Sequence, residues 1–424
     1  MNIKNLPILF KMTLDKNVIR SLYEVYDIFK EDKEFNLSKY IKMISSFLKG
    51  EKLIKFEDKY IISTFIPPFP SKAFIQNVKA VNNPENIFTQ QIYGKRSGPI
   101  SIYLCLTHKC PNKCIYCSSK NRLNNEELTT EEWIKVIEDL QDMKTPIIGL
   151  TGGEPMVRDD IYEIVKAIDD RSISTLFTSG VNLTLEKAKE LKKNGLFSIG
   201  ISLDSHNREI HNKNRNDNNA FDYAINAIQN ARRAGLYTMA QTVILKENLN
   251  KEDLFKLFKI AGENGAHEVK LLEPILSGDL LNKENLENIF YTREDREKLI
   301  AIQHEVNKIS RFPKITSFAY TESEEKFGCG AGTQHSYISA TGDLYPCDFL
   351  PMEFGNVRDK SIKELWKEMN EVIGIPKIGC FAQRINSLVY EKSKGNLPLN
   401  KMDSIEICKN NKNKIFPKYY RDLQ

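Results

Sequence analysis

The sequence lacks any apolar run of the roughly 18 residues that a membrane-spanning helix needs. It also lacks an excess of one charge. The 61 Lys+Arg and 56 Asp+Glu leave a net +5 over 424 residues. A balance that small gives no electrostatic case for nucleic acid or an anionic membrane as partner. The opening Met1-Asn2-Ile3-Lys4-Asn5-Leu6-Pro7 has no signal-peptide core followed by a small-residue cleavage site, so a cytoplasmic protein is expected. The most informative absence concerns cysteine. Residues 118–328 contain none, although the chain has 8. Four lie early, at Cys105, Cys110, Cys114 and Cys117. Four lie late, at Cys329, Cys347, Cys380 and Cys408. In a cytoplasmic chain such groups point to metal or catalysis rather than disulfides. Two separated groups predict two metal centres.

What is present fits a globular protein. Apolar residues make up 41% and charged residues 28%, which excludes wholesale disorder. The length allows two or three domains. Residues 1–98 read as a small α+β unit. Helices are expected over 17–30 and 36–48, then a hairpin over 53–62. Helices followed by a hairpin suggest a winged-helix-like unit. Ile66-Pro67-Pro68-Phe69-Pro70 is a stiff break, and the stretch after it to about 98 reads as a linker or wrapping strand.

From residue 99 strands and helices alternate. Strands are expected over 101–106, 146–151, 172–178, 197–204, 237–244 and 268–272. Thr129 and Glu132 form a capping-box pattern ahead of an amphipathic helix. Thr184 is a cap, and Gly195 and Gly235 are stops. Six such units imply a parallel sheet with right-handed crossovers. The fourth strand favours a barrel over an open sheet. Its odd positions, Ile199, Ile201 and Leu203, are apolar. Its even positions, Ser198, Gly200, Ser202 and Asp204, are small or polar. A doubly covered open sheet would read apolar on both faces. The stretch 214–219 reads as a short loop. The stretch 276–327 reads as a charged helical connector, and 328–424 as a second cysteine domain.

Cys110, Cys114 and Cys117 form C-x3-C-x2-C directly after the first strand of the barrel. Structural zinc sites and iron–sulfur cubanes usually take four protein ligands. Three thiolates leave one iron free for a small molecule, although spacing alone leaves zinc open. Cys105 lies within the strand and reads as a buried apolar side chain. His108 reads as a loop residue. One βα unit later come Gly152, Gly153 and Glu154, where the glycines allow close backbone approach and the carboxylate can hold an ammonium.

With these two motifs in register, the chain resembles the radical SAM superfamily. The family's cluster motif matches Cys110, Cys114 and Cys117, with Tyr116 as the usual aromatic. Its Gly-Gly-Glu motif, which holds the amino group of S-adenosylmethionine (SAM), matches Gly152, Gly153 and Glu154. Its polar pair on the fourth strand matches Ser202 and Asp204. A basic residue in the next loop, which meets the SAM carboxylate, matches Arg215. The resemblance covers about 99–275. It implies a partial (β/α)6 barrel and a [4Fe-4S] cluster whose open iron is chelated by SAM. It also implies reductive cleavage of SAM to a 5′-deoxyadenosyl radical that takes a substrate hydrogen atom.

Cys329, with Gly342 and Cys347 at C-x12-G-x4-C, resembles the opening of the SPASM/Twitch extension, which binds auxiliary [4Fe-4S] clusters. Strand, Gly342-Asp343 turn and strand form a hairpin that brings the two cysteines together. The later dense cysteine run of the full pattern is missing. The resemblance therefore implies one auxiliary cluster held by Cys329, Cys347 and Cys380, with Cys408 as a possible fourth ligand. Asp348 matches a position proposed as proton acceptor in sulfatase-maturating relatives.

The first functional expectation is a peptide- or protein-modifying radical SAM enzyme. The second is a radical SAM dehydrogenase of a small molecule. A non-catalytic iron–sulfur electron carrier is the reading from another class, and the Gly152-Gly153-Glu154 turn speaks against it. Expected partners are the substrate and a flavodoxin- or ferredoxin-type reductant, with no nucleic acid and no membrane.

Overall fold

The computed structural model describes residues 5–120, 126–282 and 288–424. A short antiparallel hairpin, β1 (Ile54–Phe56) and β2 (Lys59–Ile61), precedes the main sheet. The sheet has nine strands. Six form the parallel series expected from the alternation: β3 (Ser101–Cys105), β4 (Ile147–Thr151), β5 (Ile173–Thr178), β6 (Ser198–Ser202), β7 (Tyr237–Val243) and β8 (Glu268–Leu272). β9 (Lys314–Ser317), β10 (His335–Ile338) and β11 (Leu344–Tyr345) complete it. Neighbours run in the order β11-β10-β3-β4-β5-β6-β7-β8-β9. The result is the partial barrel with its helices outside.

Alternation along the strands sorts core from lumen. Ile199 and Ile201 of β6 are fully buried against the outer helices. The facing position, Gly200, points inward, where an added Cβ would lie 2.7 Å from the Phe177 ring. On β4, Gly149 stands against Tyr103 in the same way. Glycine here makes room for the aromatic rings that fill the lumen. The capping box at Thr129 and Glu132 is formed, as is the Thr184 cap.

Three elements differ from the sequence reading. The stretch after the proline break carries helices Lys72–Lys79 and Ile87–Ile92, not an extended linker. The charged connector contains helix Arg293–Val306 but also β9, which pairs parallel with β8. Asn214 and Arg215 belong to the last turn of helix Arg208–Arg215, which Asn216 ends in a left-handed conformation. The hairpin expected after Cys329 is present as β10 and β11, and β10 also pairs parallel with β3.

The N-terminal helices Leu6–Leu14, Lys16–Phe29 and Leu37–Leu48 come before the hairpin. The β1–β2 hairpin does not stand free. Phe56 packs edge-on against Tyr237 at 5.4 Å and Phe197 at 5.7 Å. The same segment places Phe65 against Phe318, with ring centres 4.9 Å apart. This unit therefore closes one end of the barrel. No helix among the described residues is long and apolar enough to cross a membrane.

Candidate active site

The loop after β3 carries Cys110, Cys114 and Cys117, all free thiols. It is held by its neighbours on both sides. Gly153 N–H donates to Thr107 O at 2.7 Å, and Glu154 N–H to Lys109 O at 2.9 Å. A Cβ on Gly153 would lie 2.4 Å from Lys109 O. The two motifs of the sequence thus meet backbone to backbone, which only glycine permits. From the other side, Asp279 N–H donates to Cys117 O at 3.1 Å, and Gly278 has φ +52°. A Cβ on Gly278 would lie 1.8 Å from Cys117 O.

Behind the loop lies a buried charge cluster. Arg215 grips Asp204 with two parallel bonds, Nε to Oδ2 at 2.8 Å and Nη2 to Oδ1 at 2.9 Å. Its remaining nitrogen faces Cys114 Sγ at 3.7 Å. Tyr116 donates its hydroxyl to Asp204 Oδ2. Burial raises the Cys114 thiol above its ordinary pKa, and the Arg215 charge partly offsets this. A cation beside a thiol favours the thiolate form that a metal needs. Tyr116, Asp204 and Arg215, picked out separately in the sequence, form one unit. Their polar groups are directed at each other and at the cluster loop.

Glu154 is 1% exposed at the end of β4. Its carboxylate accepts from Thr178 Oγ1 (2.7 Å), Met156 N (3.1 Å), Ser179 N (2.7 Å) and Ser179 Oγ (2.6 Å). Burial raises its pKa, and these four donors work against that rise. A carboxylate offers about four lone-pair sites, so an incoming ammonium must displace one rotatable hydroxyl. Ser202 ends β6 and stands in register with Gln241 of β7.

The fit to a cluster with one open position rests on the donor set. Three thiols share one loop, and Cys105 is turned into the sheet with its thiol on Thr107 O at 3.5 Å. His108 Nδ1 lies 4.0 Å from that same buried thiol.

The second group converges as well. Cys329, Cys347 and Cys380 line one cavity of about 190 Å³ between the barrel and the C-terminal segment. Cys329 and Cys380 interact, the Cys329 thiol being lowered to about 6 and the Cys380 thiol raised. Cys347 donates to Asp348 Oδ1 at 3.3 Å, and His335 Nε2 lies 3.7 Å from that oxygen. Cys408 is not brought into this group. It is 1% exposed on helix Lys401–Asn410 and packs in the hydrophobic core. Its helix buries Ser404, Ile407 and Cys408 together, and Cys408 is not among the residues that line the cavity. The Glu322 carboxylate opens onto the cavity instead, near Cys380. Burial pushes Glu322 well above the usual carboxylate range.

Several of these residues carry no signal in the sequence. Glu322, His335 and Lys270, which lines the cavity from β8, read as ordinary surface charges until the fold encloses them. Gly278 had a weak one, a glycine placed just past the last strand of the barrel series.

Comparison with known proteins agrees with this geometry. Residues 104–258 match the radical SAM superfamily, and residues 329–410 match the SPASM iron–sulfur cluster-binding domain. The chain is similar to the AdoMet-dependent heme synthase of Methanosarcina barkeri. The two are 29% identical over 284 residues, spanning 62% of this chain and 80% of the relative. The enzyme of the same name from Nitratidesulfovibrio vulgaris is 27% identical over 62% of this chain and 77% of its own. Among solved structures, Streptococcus suis SuiB bound to S-adenosylmethionine aligns with a TM-score of 0.56 at 17% identity. That alignment covers 73% of this chain and 78% of SuiB. Native anSMEcpe with bound AdoMet and Cp18Cys peptide aligns at 0.51 and 18% identity, over 76% and 94%. Residues 104–258 are thus a radical SAM domain and residues 329–410 a SPASM-type domain, in an enzyme whose cofactors are [4Fe-4S] clusters and S-adenosylmethionine.

Proposed function

We propose that this enzyme modifies a small molecule held in the cavity between the barrel and the C-terminal segment. The carrying observation is the cavity itself. It is lined on one side by the second cysteine group and on the other by lumen residues such as Tyr103, Gln241 and Lys270, so a substrate on the lumen side would lie beside the auxiliary cluster. In this reading Cys110, Cys114 and Cys117 hold the SAM-binding cluster. Cys329, Cys347 and Cys380 hold the auxiliary one. When bound, the first cluster and SAM supply a radical that removes a hydrogen atom from the substrate. The chain's own work is positioning and exclusion of water. Gly152, Gly153 and Glu154 offer backbone and carboxylate to the SAM amino group, and Ser202 faces the same end of the barrel. Arg215, locked to Asp204, keeps a positive charge at the cluster loop. Asp348, oriented by His335, stands at the cavity wall to accept a proton.

Two features support a small molecule over the peptide. The N-terminal unit closes one end of the barrel, and the sequence relatives are named as heme synthases. A peptide reading has one observation in its favour. The first two helices expose Phe10 (65%), Leu14 (66%) and Tyr23 (67%), an apolar face that could seat a peptide.

The test is anaerobic. Reconstituted protein should carry about eight irons, four for each of two clusters. It should release 5′-deoxyadenosine from SAM under reduction, and Cys114→Ala should not. Deuterium should pass to 5′-deoxyadenosine from labelled small molecules of a host extract. Transfer only from the peptide fraction would overturn the small-molecule reading.

A further inference from the structure

Lys270 is the central residue of β8, and its ammonium faces the cavity inside the barrel. It is 2% exposed. It lies over three phenyl rings, Phe65 at 5.1 Å, Phe177 at 5.5 Å and Phe318 at 5.6 Å. Among the described residues it has neither a hydrogen-bond acceptor nor an ion-pair partner. A buried ammonium is normally paired, because leaving it alone costs several kcal/mol. Ring faces attract a cation but supply no lone pair, and they keep water away.

The acids that face Lys270 are engaged elsewhere. Glu268, two residues earlier on the same strand face, accepts from Tyr237 Oη at 2.9 Å and Thr64 Oγ1 at 3.4 Å. Asp348, across the cavity, is held by Cys347 and His335. Beside Lys270 in register stands Gln241, whose amide also faces the cavity and makes no side-chain hydrogen bond among the described residues.

We propose that Lys270 and Gln241 form an anchor for a carboxylate of the substrate. This deepens the reading of the cavity as a substrate site and rests on it. The charge count selects the class. Lys270 is the only Lys or Arg among the described residues that line the cavity, while Glu273, Glu322 and Asp348 line it as well. One ammonium and one amide donor match a monoanion with two oxygens. A phosphate dianion would meet one cation and three acids. Ser202, Gln241 and Lys270 stand in one row across β6, β7 and β8. A carboxylate fixed there therefore lies level with the residue assigned to the SAM side of the barrel, and the rest of the molecule extends along the lumen.

The test uses the oxidised holoenzyme without SAM or reductant, so it does not depend on radical chemistry. 3-Phenylpropionate and its amide are titrated by calorimetry at constant ionic strength. The acid should bind, and the amide should bind roughly tenfold or more weakly, as for loss of a charge-assisted hydrogen bond. Lys270→Met and Lys270→Gln should remove the preference for the acid. A second measurement needs no variant: in a separate wild-type sample supplied with dimethylamine–borane as hydride donor, the acid, but not the amide, should slow reductive methylation of Lys270 by ¹³C-formaldehyde. Equal binding of acid and amide, binding of neither, or an unchanged preference in the variants would overturn the anchor. So would a methylation rate that the acid does not change. Failure of the radical reading would be seen separately, as absence of 5′-deoxyadenosine from reduced wild type.

Discussion

At Asp204 a carboxylate is fully enclosed, and only Arg215 balances its charge with two bonds. Breaking one side of such a pair leaves an uncompensated buried charge. Arg215→Met should therefore cost about 3–5 kcal/mol. The double variant Arg215→Met/Asp204→Asn should lose less than the sum of the two single changes, because the partners couple. Urea midpoints of the four proteins give the answer, and additive losses would show that the pair is not a unit. Lysine should not rescue, since it lacks the planar fork. His211 belongs to the same neighbourhood. Its Nδ1 accepts from Asp204 N–H at 3.1 Å, and the ring is fully buried. Burial lowers its pKa from 6.5 to about 4, with Asp204 pulling the other way. Between these values the unfolded chain binds a proton that the folded chain refuses. Stability from this group is thus complete above pH 6.5 and falls as pH drops towards 4, by about 3 kcal/mol at most. His211→Gln should flatten that limb in a plot of urea midpoint against pH. An unchanged limb would place the acid sensitivity elsewhere.

Elements meet the cluster loop through backbone, so their fit is intolerant of a single carbon. Gly278 shows this most sharply, with φ +52° and an imagined Cβ 1.8 Å from Cys117 O. Gly278→Ala must push the segment after β8 off the loop or bend the loop itself. Iron per chain after reconstitution should fall below wild type, and full loading would show that the loop yields freely. The same contacts explain what could be read in advance. β3 to β8 were legible because each combines an apolar run with glycine or cap punctuation. The motif cysteines were legible because their spacing is local. β9 was not, since Lys314 at its head looks like a surface charge until Glu51, far away in sequence, is placed against it. Helix Arg208–Arg215 was read partly as loop for a related reason. Its polar residues His211, Asn214 and Arg215 are buried against the loops that follow β3 and β6, and periodicity of apolar residues cannot report that. Lys270 and Glu322 leave no trace in the sequence because a lone buried charge has no local pattern at all.

Over the whole molecule the N-terminal unit, the barrel edge and the C-terminal segment meet at one carboxylate. Glu51 receives Lys314 of β9 at 2.6 Å and lies 3.7 Å from Lys326, which stands three residues before Cys329. All three side chains are buried, and Lys326 is lowered to about 8 by burial while Glu51 works against that shift. Lys314 also donates to Lys52 O and Ile62 O, and Lys326 to Ser46 O, Phe47 O and Lys49 O. Two buried ammonium groups of the catalytic half are thus satisfied by the N-terminal unit. If that unit were an independent appendage, damage to Glu51 would melt it alone, in an early and separate transition. The geometry predicts otherwise. Glu51→Gln strips two lysines of their shared anion at once, and the loss should be about 3–5 kcal/mol. It should appear in calorimetry as one cooperative transition moved to lower temperature, with the second cysteine group loosened along with the cap. Glu51→Gln/Lys314→Met, which removes one of the stranded charges, should recover part of that loss. A small early transition with the main one unmoved would separate the cap from the enzyme it covers.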